Sequence, residues 1–207
     1  MRQTFYDFVT LFVTVDPLGT AMMFLALTPH VTVAHRRNMA LRGTIVATAI
    51  ILAFAVAGQL LLDMMGISLA AFRIAGGLLL FLVATDMVFA LHSGIRGTTI
   101  PEQEEAAHSR DISVFPLAIP LLAGPGALAS IMLLMGRATT WAAEGRVLTA
   151  LVAVMTLALI ALLAAAVVAR FLGITGANVV TRVLGVVLAA LATQFVIDGL
   201  RESFGLG

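Results

Sequence analysis

The chain of 207 residues contains no cysteine and no lysine, and only 11% of its residues are charged. Without cysteine there are no disulfides, no iron–sulfur clusters and no cysteine-based zinc sites. Without lysine there is no amine for a Schiff base. Soluble domains have about 25% charged residues, so this composition argues against a soluble globular protein. The formal net charge of +1 gives no bulk basic field for nucleic acid.

Apolar residues dominate the chain instead, at 61% of the sequence, with a mean hydropathy of +1.09. A helix needs about 20 apolar residues to cross a bilayer. Six segments meet this length: Thr4–Leu27, Thr44–Met65, Leu69–Leu91, Ser113–Met135, Val147–Val168 and Val179–Ser203. The pattern predicts an all-α polytopic membrane protein with six transmembrane helices. The N-terminus does not read as a cleavable signal peptide, because Asp7 and Asp16-Pro17 interrupt its apolar stretch.

The chain divides at a polar stretch into two halves of three spans. We expect a first repeat over 1–91, a polar cytoplasmic linker over 92–112 and a second repeat over 113–207. The segment Arg73–Leu91 can be laid on Arg182–Leu200, with Gly76 on Gly185. Since three spans is an odd number, the second repeat would be inserted upside down, as in many transporters with inverted repeats.

Arginine placement predicts the orientation in the membrane. Seven of the twelve arginines fall on the face that holds the first, third and fifth connections, and three of these seven lie close together in the stretch HRRNMALR from His35 to Arg42. Cytoplasmic loops carry an excess of positive residues. We therefore expect both termini on the periplasmic or extracytoplasmic side of the membrane.

Helices 1 and 4 are predicted to be interrupted, because VTVDPLGTAMM and LLAGPGALASIML place Pro17 and Pro125 within apolar runs. Proline removes a backbone donor and clashes with the preceding turn. Paired interruptions in the two halves of a chain indicate a transporter binding site. The predicted substrate-binding residues flank the two breaks: Asp16, Pro17, Gly19, Thr20, Gly124, Pro125, Gly126 and Ser130.

Asp16 lies about 12 residues into the first span, which is roughly 18 Å at 1.5 Å per residue. An ionised carboxylate near mid-membrane is costly and persists only with a partner, water or a helix end. Asp16-Pro17 has the pattern of an N-cap followed by the first helical residue, and Gly124-Pro125 has the same pattern. Asp16 is therefore either a helix cap, a ligand for the substrate, or both.

Five further polar residues in the third and sixth spans are candidates for ion coupling or for ion pairs: Asp86, Asp198, Gln194, Arg73 and Arg182. Intramembrane ionisable residues mark ion pathways, but arginines near helix ends also snorkel to the interface. The four histidines lack metal-ligand spacing, and no GxSxG or phosphate-binding glycine loop is present. We expect no enzyme activity, no cofactor and no metal site.

Four segments carry a resemblance to a known family: VDPLG, RIAGGLLLFLVATDM, FPLAIPLLAGPGALAS and QFVIDGL. Together they resemble the MarC family of six-span bacterial inner-membrane proteins. The resemblance implies a place among amino-acid exporters of the LysE type, and some members are described as transporters of small neutral amino acids such as alanine and glycine. Two departures concern the first break, where family members usually have Asn at the position of Thr20 and Pro at that of Met22.

The function expected from these observations is transport of a small zwitterionic amino acid by alternating access around a midplane site, with H⁺ or Na⁺ as a possible coupling ion. One alternative is a cation or metal-ion carrier or channel, in which Asp16, Asp86 and Asp198 coordinate the ion. A second alternative is a membrane assembly protein that transports nothing. The sequence leaves the oligomeric state and the direction of transport open.

Overall fold

A computed structural model describes residues 2–29, 31–89 and 111–205, and within these ranges the chain is helical and has no strand. The first half contains α1 (Arg2–Val15), α2 (Pro17–Leu27), α3 (Val33–Met64) and α4 (Leu69–Phe89). The second half contains α5 (Ser113–Leu122), α6 (Pro125–Arg137), α7 (Trp141–Leu163) and α8 (Ala165–Ser203). The predicted all-α polytopic fold is confirmed. Most of the predicted linker over 92–112 lies outside the described residues.

The described helices provide five or six candidate membrane spans. Five are long and apolar enough to cross a bilayer alone, with α1 and α2 together forming the first of them. The helices α5 and α6 are bent by 55° at their break, and the pair brings the number to six when it is counted as one span, the fourth along the chain. Glycine at position 173 has φ +61°, so the turn between the last two spans lies there, inside α8.

Two predicted boundaries are wrong, because polar caps start the helices before their apolar stretches. The second span begins at Val33 rather than Thr44, where Thr32 accepts a hydrogen bond from the His35 amide at 3.4 Å. The fifth begins at Trp141 rather than Val147, where Thr140 accepts from the Ala143 amide at 3.2 Å. Serine and threonine caps satisfy the first amides of a helix whether or not its first turns are apolar.

The helices α4 and α8 pack antiparallel along a seam lined by glycine. A Cβ atom on Gly77 would lie 2.9 Å from the carbonyl oxygen of Ala192, and one on Gly185 would lie 3.1 Å from that of Ala84. Residues later in α4 thus contact residues earlier in α8, as in an antiparallel pair. Small residues at such a seam let two membrane helices approach closely. The seam joins the two predicted repeats.

The packing partners of the two halves correspond. The helix α3 packs on α5 as α1 packs on α7, and α6 packs on α4 as α2 packs on α8. If each helix is replaced by its equivalent in the other half, each of these pairs becomes the other member of its set. The equivalent helices α4 and α8 also run in opposite directions. This pattern is the one that an inverted repeat requires. The superposition of the two halves about an axis in the membrane plane stays a prediction.

Candidate functional site

The first break is a single residue. Asp16 separates α1 from α2 with φ 44° and ψ 71°, a left-handed conformation that is uncommon outside glycine but accessible to aspartate. Its Oδ1 accepts a hydrogen bond from the Gly19 amide at 3.1 Å, and Pro17 is the first helical residue. The predicted cap is thus confirmed.

Hydrogen bonding continues on both sides of this break. The Asp16 amide donates to Phe12, and the Thr20 amide donates to Asp16, both at 3.0 Å. The Thr20 hydroxyl also bridges the break by donating to the Val15 carbonyl oxygen at 3.2 Å. The predicted interruption of helix 1 is therefore confined to one residue: the Gly19 amide bonds to the Asp16 side chain, and the Thr20 hydroxyl supplies the donor that the Val15 carbonyl would otherwise receive from Gly19.

The second break is longer and more irregular. In α5, Phe115 and Ile119 have extended backbones, each preceding a proline, and the winding is wider than in an α-helix. The Ala123 amide donates to Ala118, five residues earlier, at 2.8 Å. Proline disfavours the helical conformation of the residue before it. Sequence reasoning placed α5 within the predicted fourth span Ser113–Met135 but missed its irregular winding, although Pro116 and Pro120 were the signal for it.

The helix α6 begins as predicted, with Gly124 at the N-cap and Pro125 at the first position, but no side chain caps it. The first amides of a helix lack intrahelical partners and lie at the positive end of the helix dipole. A Cβ atom on Gly124 would lie 2.5 Å from the Pro120 carbonyl oxygen, so only glycine fits there. This break therefore presents backbone donors that no cap occupies, a suitable arrangement for binding an anion.

The predicted site residues differ in burial and bonding. Asp16, Pro17, Thr20, Gly126 and Ser130 are buried, Gly19 and Gly124 are partly buried, and Pro125 is exposed. Ser130 is fully buried, and its hydroxyl has no hydrogen-bond partner among the described residues. A serine in a membrane helix usually bonds to a carbonyl one turn earlier. The hydroxyl of Ser130 is thus available, whereas that of Thr20 is engaged.

The structure brings the flanks of the two breaks into one buried cluster, which contains Val15 and Ala21 from the first break and Ala123 and Ala127 from the second. The helix α1 packs on α6, and α2 packs on α5. The two interruptions therefore share one core, although they lie far apart in the chain.

The two breaks also lie at the same level of the bundle. The helix α3 runs parallel to α5 and α6, since Gly43 meets Leu117 and Gly58 meets Met132. A short connection joins the first span to α3, so these two run in opposite directions. The first span is therefore antiparallel to α6. Arg137 of α6 contacts Tyr6 of α1 at 3.3 Å. From that contact α1 runs ten residues, roughly 15 Å, to Asp16, and α6 runs twelve residues, roughly 18 Å, back to Pro125, so the two breaks lie at nearly the same level.

Comparison with known proteins gives the same answer as these motifs. The MarC family of integral membrane proteins matches residues 1–204 of the chain. The chain belongs to the MarC family. It is similar to the UPF0056 membrane protein of Archaeoglobus fulgidus, with 35% identity over 96% of this chain and 92% of the relative.

Two bacterial relatives are similar to this chain to the same degree. The UPF0056 membrane protein YvbG of Bacillus subtilis is 34% identical over 95% of this chain and 93% of its own length. The UPF0056 inner membrane protein YhgN of Escherichia coli is 33% identical over 93% of each chain. No solved structure matches the chain significantly. The match identifies a multi-pass integral membrane protein.

At one end of this MarC protein, which we call the Arg137 end, ionic contacts join the three helices α4, α6 and α8. Arg137 pairs with Asp198, and its guanidinium carbon lies 4.9 Å from the ring centroid of Phe195. Gln194 donates to the other oxygen of Asp198 at 2.6 Å. Arg73 of α4 pairs with Glu202 of α8 at the same end.

Three of the five coupling or ion-pair candidates, Asp198, Gln194 and Arg73, are thus engaged in ion pairs or hydrogen bonds. Their partners Arg137 and Glu202 were missed in the sequence, where nothing local connects residues more than 60 positions apart. The other two candidates lie away from this end: Asp86 is buried in α4, and Arg182 is exposed on α8.

The opposite end, which we call the Arg42 end, carries a more exposed ion pair. Arg42 contacts Asp111 at 3.3 Å, with their side chains 72% and 40% exposed. Hydrogen bonds from the Ser113 hydroxyl and amide, helped by Arg42 and His35, lower the pKa of the Asp111 carboxyl. Arg36 donates to the Thr28 carbonyl oxygen at 2.6 Å. Within the described ranges, no three His, Asp or Glu side chains converge as a metal site would require.

Proposed function

We propose that this MarC protein is a carrier for small neutral amino acids such as alanine and glycine, and not an enzyme. The observation that carries the proposal is the uncapped start of α6 inside the bundle, level with the buried carboxyl of Asp16. The amides at Gly126 and Ala127 would bind the substrate carboxylate. Asp16 keeps its cap bond through Oδ1 and would accept the substrate ammonium.

The small size of the proposed substrate follows from the packing around α6. Gly126 is buried, and a Cβ atom there would already approach Leu80 at 3.3 Å. The remaining proposed contacts are Pro17, Gly19, Thr20, Gly124, Pro125 and the hydroxyl of Ser130. With glycine and alanine on both sides of the breaks, a hydrogen or methyl side chain is accommodated better than a branched one.

Movement in this proposal is alternating access around the two breaks, with one three-span repeat rocking against the other. The glycine-lined seam of α4 and α8 is the contact about which the repeats would move. The Escherichia coli relative is named an inner membrane protein, and we place this chain in that membrane. The arginine bias supports an orientation with the Arg42 end in the cytoplasm and both termini outside.

The test is uptake by vesicles reconstituted with the purified protein. Vesicles preloaded with unlabelled alanine should accumulate labelled alanine by counterflow, and external glycine should compete better than leucine. Labelled divalent cations should not enter above the level of empty vesicles. Entry of cations without amino-acid counterflow would favour the ion-carrier alternative, and entry of neither would contradict the transport proposal.

A further inference from the structure

Asp7 is a buried carboxylate at the Arg137 end that the proposed amino-acid site does not use. It lies in α1, is 1% exposed, and its Oδ2 has no hydrogen-bond partner among the described residues. Two other carboxylates at this end, Asp198 and Glu202, differ from Asp7 because each pairs with an arginine. An ionised oxygen without a donor is expensive to bury, whereas a neutral carboxyl group is much less so.

A polar stripe joins Asp7 to the first break. Asp7, Thr10 and Thr14 follow one another at spacings of three and four residues, which places them on one face of α1. Thr10 is fully buried, and the Thr14 hydroxyl donates to its carbonyl oxygen at 2.9 Å. The stripe ends beside Asp16, about 14 Å along the helix from Asp7. Apolar packing alone does not require three polar residues on a buried face.

The surroundings of Asp7 favour a proton over a metal cation. Arg146 of α7 and Arg137 of α6 are the cations near this carboxyl, and Gln3 lies one turn earlier on α1. Two arginines would repel Na⁺ or a divalent ion. Arg137 is itself held by Asp198 of α8 and donates to the Tyr6 hydroxyl. In this conformation the two terminal nitrogens of Arg137 therefore bond to Tyr6 and Asp198 and not to Asp7.

We propose that the Asp7 carboxyl binds the proton that is coupled to transport. The inference rests on the proposed carrier function and names its coupling ion and site. When α6 shifts, Arg137 leaves Asp198 and pairs with Asp7. The O–H bond at Oδ2 of Asp7 then breaks, and the proton passes to water at the Arg137 end. Asp7 is left as a carboxylate paired with Arg137. When Arg137 returns to Asp198, the Asp7 carboxylate binds a proton from water that reaches it from the Arg42 side, through the breaks and the stripe of Thr10 and Thr14, so one proton crosses the membrane in each cycle.

The experiment compares Asp7→Asn with the matched control Asp63→Asn, which changes an exposed carboxylate of α3. For one proton per substrate, a pH difference of one unit drives about tenfold accumulation of alanine. Wild type and Asp63→Asn should reach this level. Asp7→Asn should accumulate none above equilibrium while keeping alanine counterflow. Asp7→Glu retains a titratable carboxyl and should restore accumulation, which a purely structural role would not predict.

A second measurement needs no substrate, so it separates this inference from the proposed function. Infrared difference spectra of the vesicles should show a protonated carboxyl band that is lost as the pH rises. The band should be present in wild type and Asp63→Asn and absent in Asp7→Asn. If wild type shows no counterflow but the band titrates as expected, the carrier proposal fails and the proton site stands. Full pH-driven accumulation by Asp7→Asn, or an unchanged band, would overturn the proton site.

Discussion

The two breaks share one sequence pattern, a capping residue followed by proline, yet they differ in the polar groups that they present. At the first, the Asp16 side chain accepts from the Gly19 amide and hydrogen bonding continues on both sides. At the second, Gly124 has no side chain to offer, and the start of α6 stays uncapped. One break therefore presents a carboxylate and the other presents amide donors, which are complementary to the two charged groups of an amino acid.

The shape of each break follows from its own prolines. A single proline in the first span leaves α1 and α2 nearly continuous. In the fourth span Pro116 and Pro120 precede Pro125, so α5 never winds as a regular α-helix and the span bends by 55°. The larger deformation holds the start of α6 away from the axis of α5. We expect substitutions at the second break to have the larger effects.

The largest effect is expected for Gly124→Ala. Its new Cβ atom would lie 2.5 Å from a backbone oxygen that cannot rotate away. Such overpacking costs about 1–3 kcal/mol or more and would displace the start of α6. Thermal unfolding in detergent should show a clear loss, and alanine counterflow should be abolished. Gly145→Ala is the control, since nothing lies within 4 Å of its Cβ, and it should unfold like wild type.

At the first break, substitutions of Asp16 separate capping from substrate binding. Asparagine is as good a cap as aspartate and tolerates the left-handed conformation, so Asp16→Asn should fold with a loss well under about 1 kcal/mol. It should nevertheless lose most counterflow, because a neutral acceptor binds an ammonium less strongly than a carboxylate does. Asp16→Ala loses the cap, about 1 kcal/mol, and also strains the backbone. Normal counterflow by a folded Asp16→Asn protein would reduce Asp16 to a cap.

Substitutions of the two hydroxyl residues beside the breaks should have smaller effects, one on stability and the other on substrate affinity. Thr20→Val removes the hydrogen bond to Val15 and should lower stability by about 1 kcal/mol. Ser130→Ala removes a hydroxyl that bonds nothing in the described residues, so stability should not fall. If Ser130 contacts the substrate, its loss should weaken alanine affinity about fivefold to tenfold. Unchanged affinity in Ser130→Ala would remove it from the proposed site.

The smallest effect is expected at the Arg42 end, because its ion pair is exposed, whereas the side chains that pair at the Arg137 end are partly buried. The pKa of Asp111 is lowered in the folded protein, so its contribution to stability is complete above the pKa of the unfolded chain. It is lost as the pH falls through the lower, folded-state pKa. Wild type should therefore lose slightly more stability than Asp111→Asn when the pH is lowered below about 4. Equal pH dependence of the two would show that Asp111 makes no contribution.

The local features of this protein followed from the sequence because neighbouring residues decide them. A lack of charge together with long apolar runs predicts membrane helices, and Asp16-Pro17 and Gly124-Pro125 predict where two helices begin again. The helix boundaries at Val33 and Trp141 were missed, although Thr32 and Thr140 are local caps, because hydropathy was given more weight than cap chemistry. The prolines of α5 were visible as well, but the extent of the distortion was not.

Only the tertiary structure decided which distant side chains meet. The pairing of Arg137 with Asp198, the burial of Asp7 and the antiparallel seam of α4 and α8 depend on how separate helices are packed. Helix periodicity specifies which residues share a face, but it does not specify which face of another helix lies opposite. The partners of a buried charge are therefore set by the packing of the whole bundle, since ion pairs act over a few ångströms of space regardless of separation along the chain.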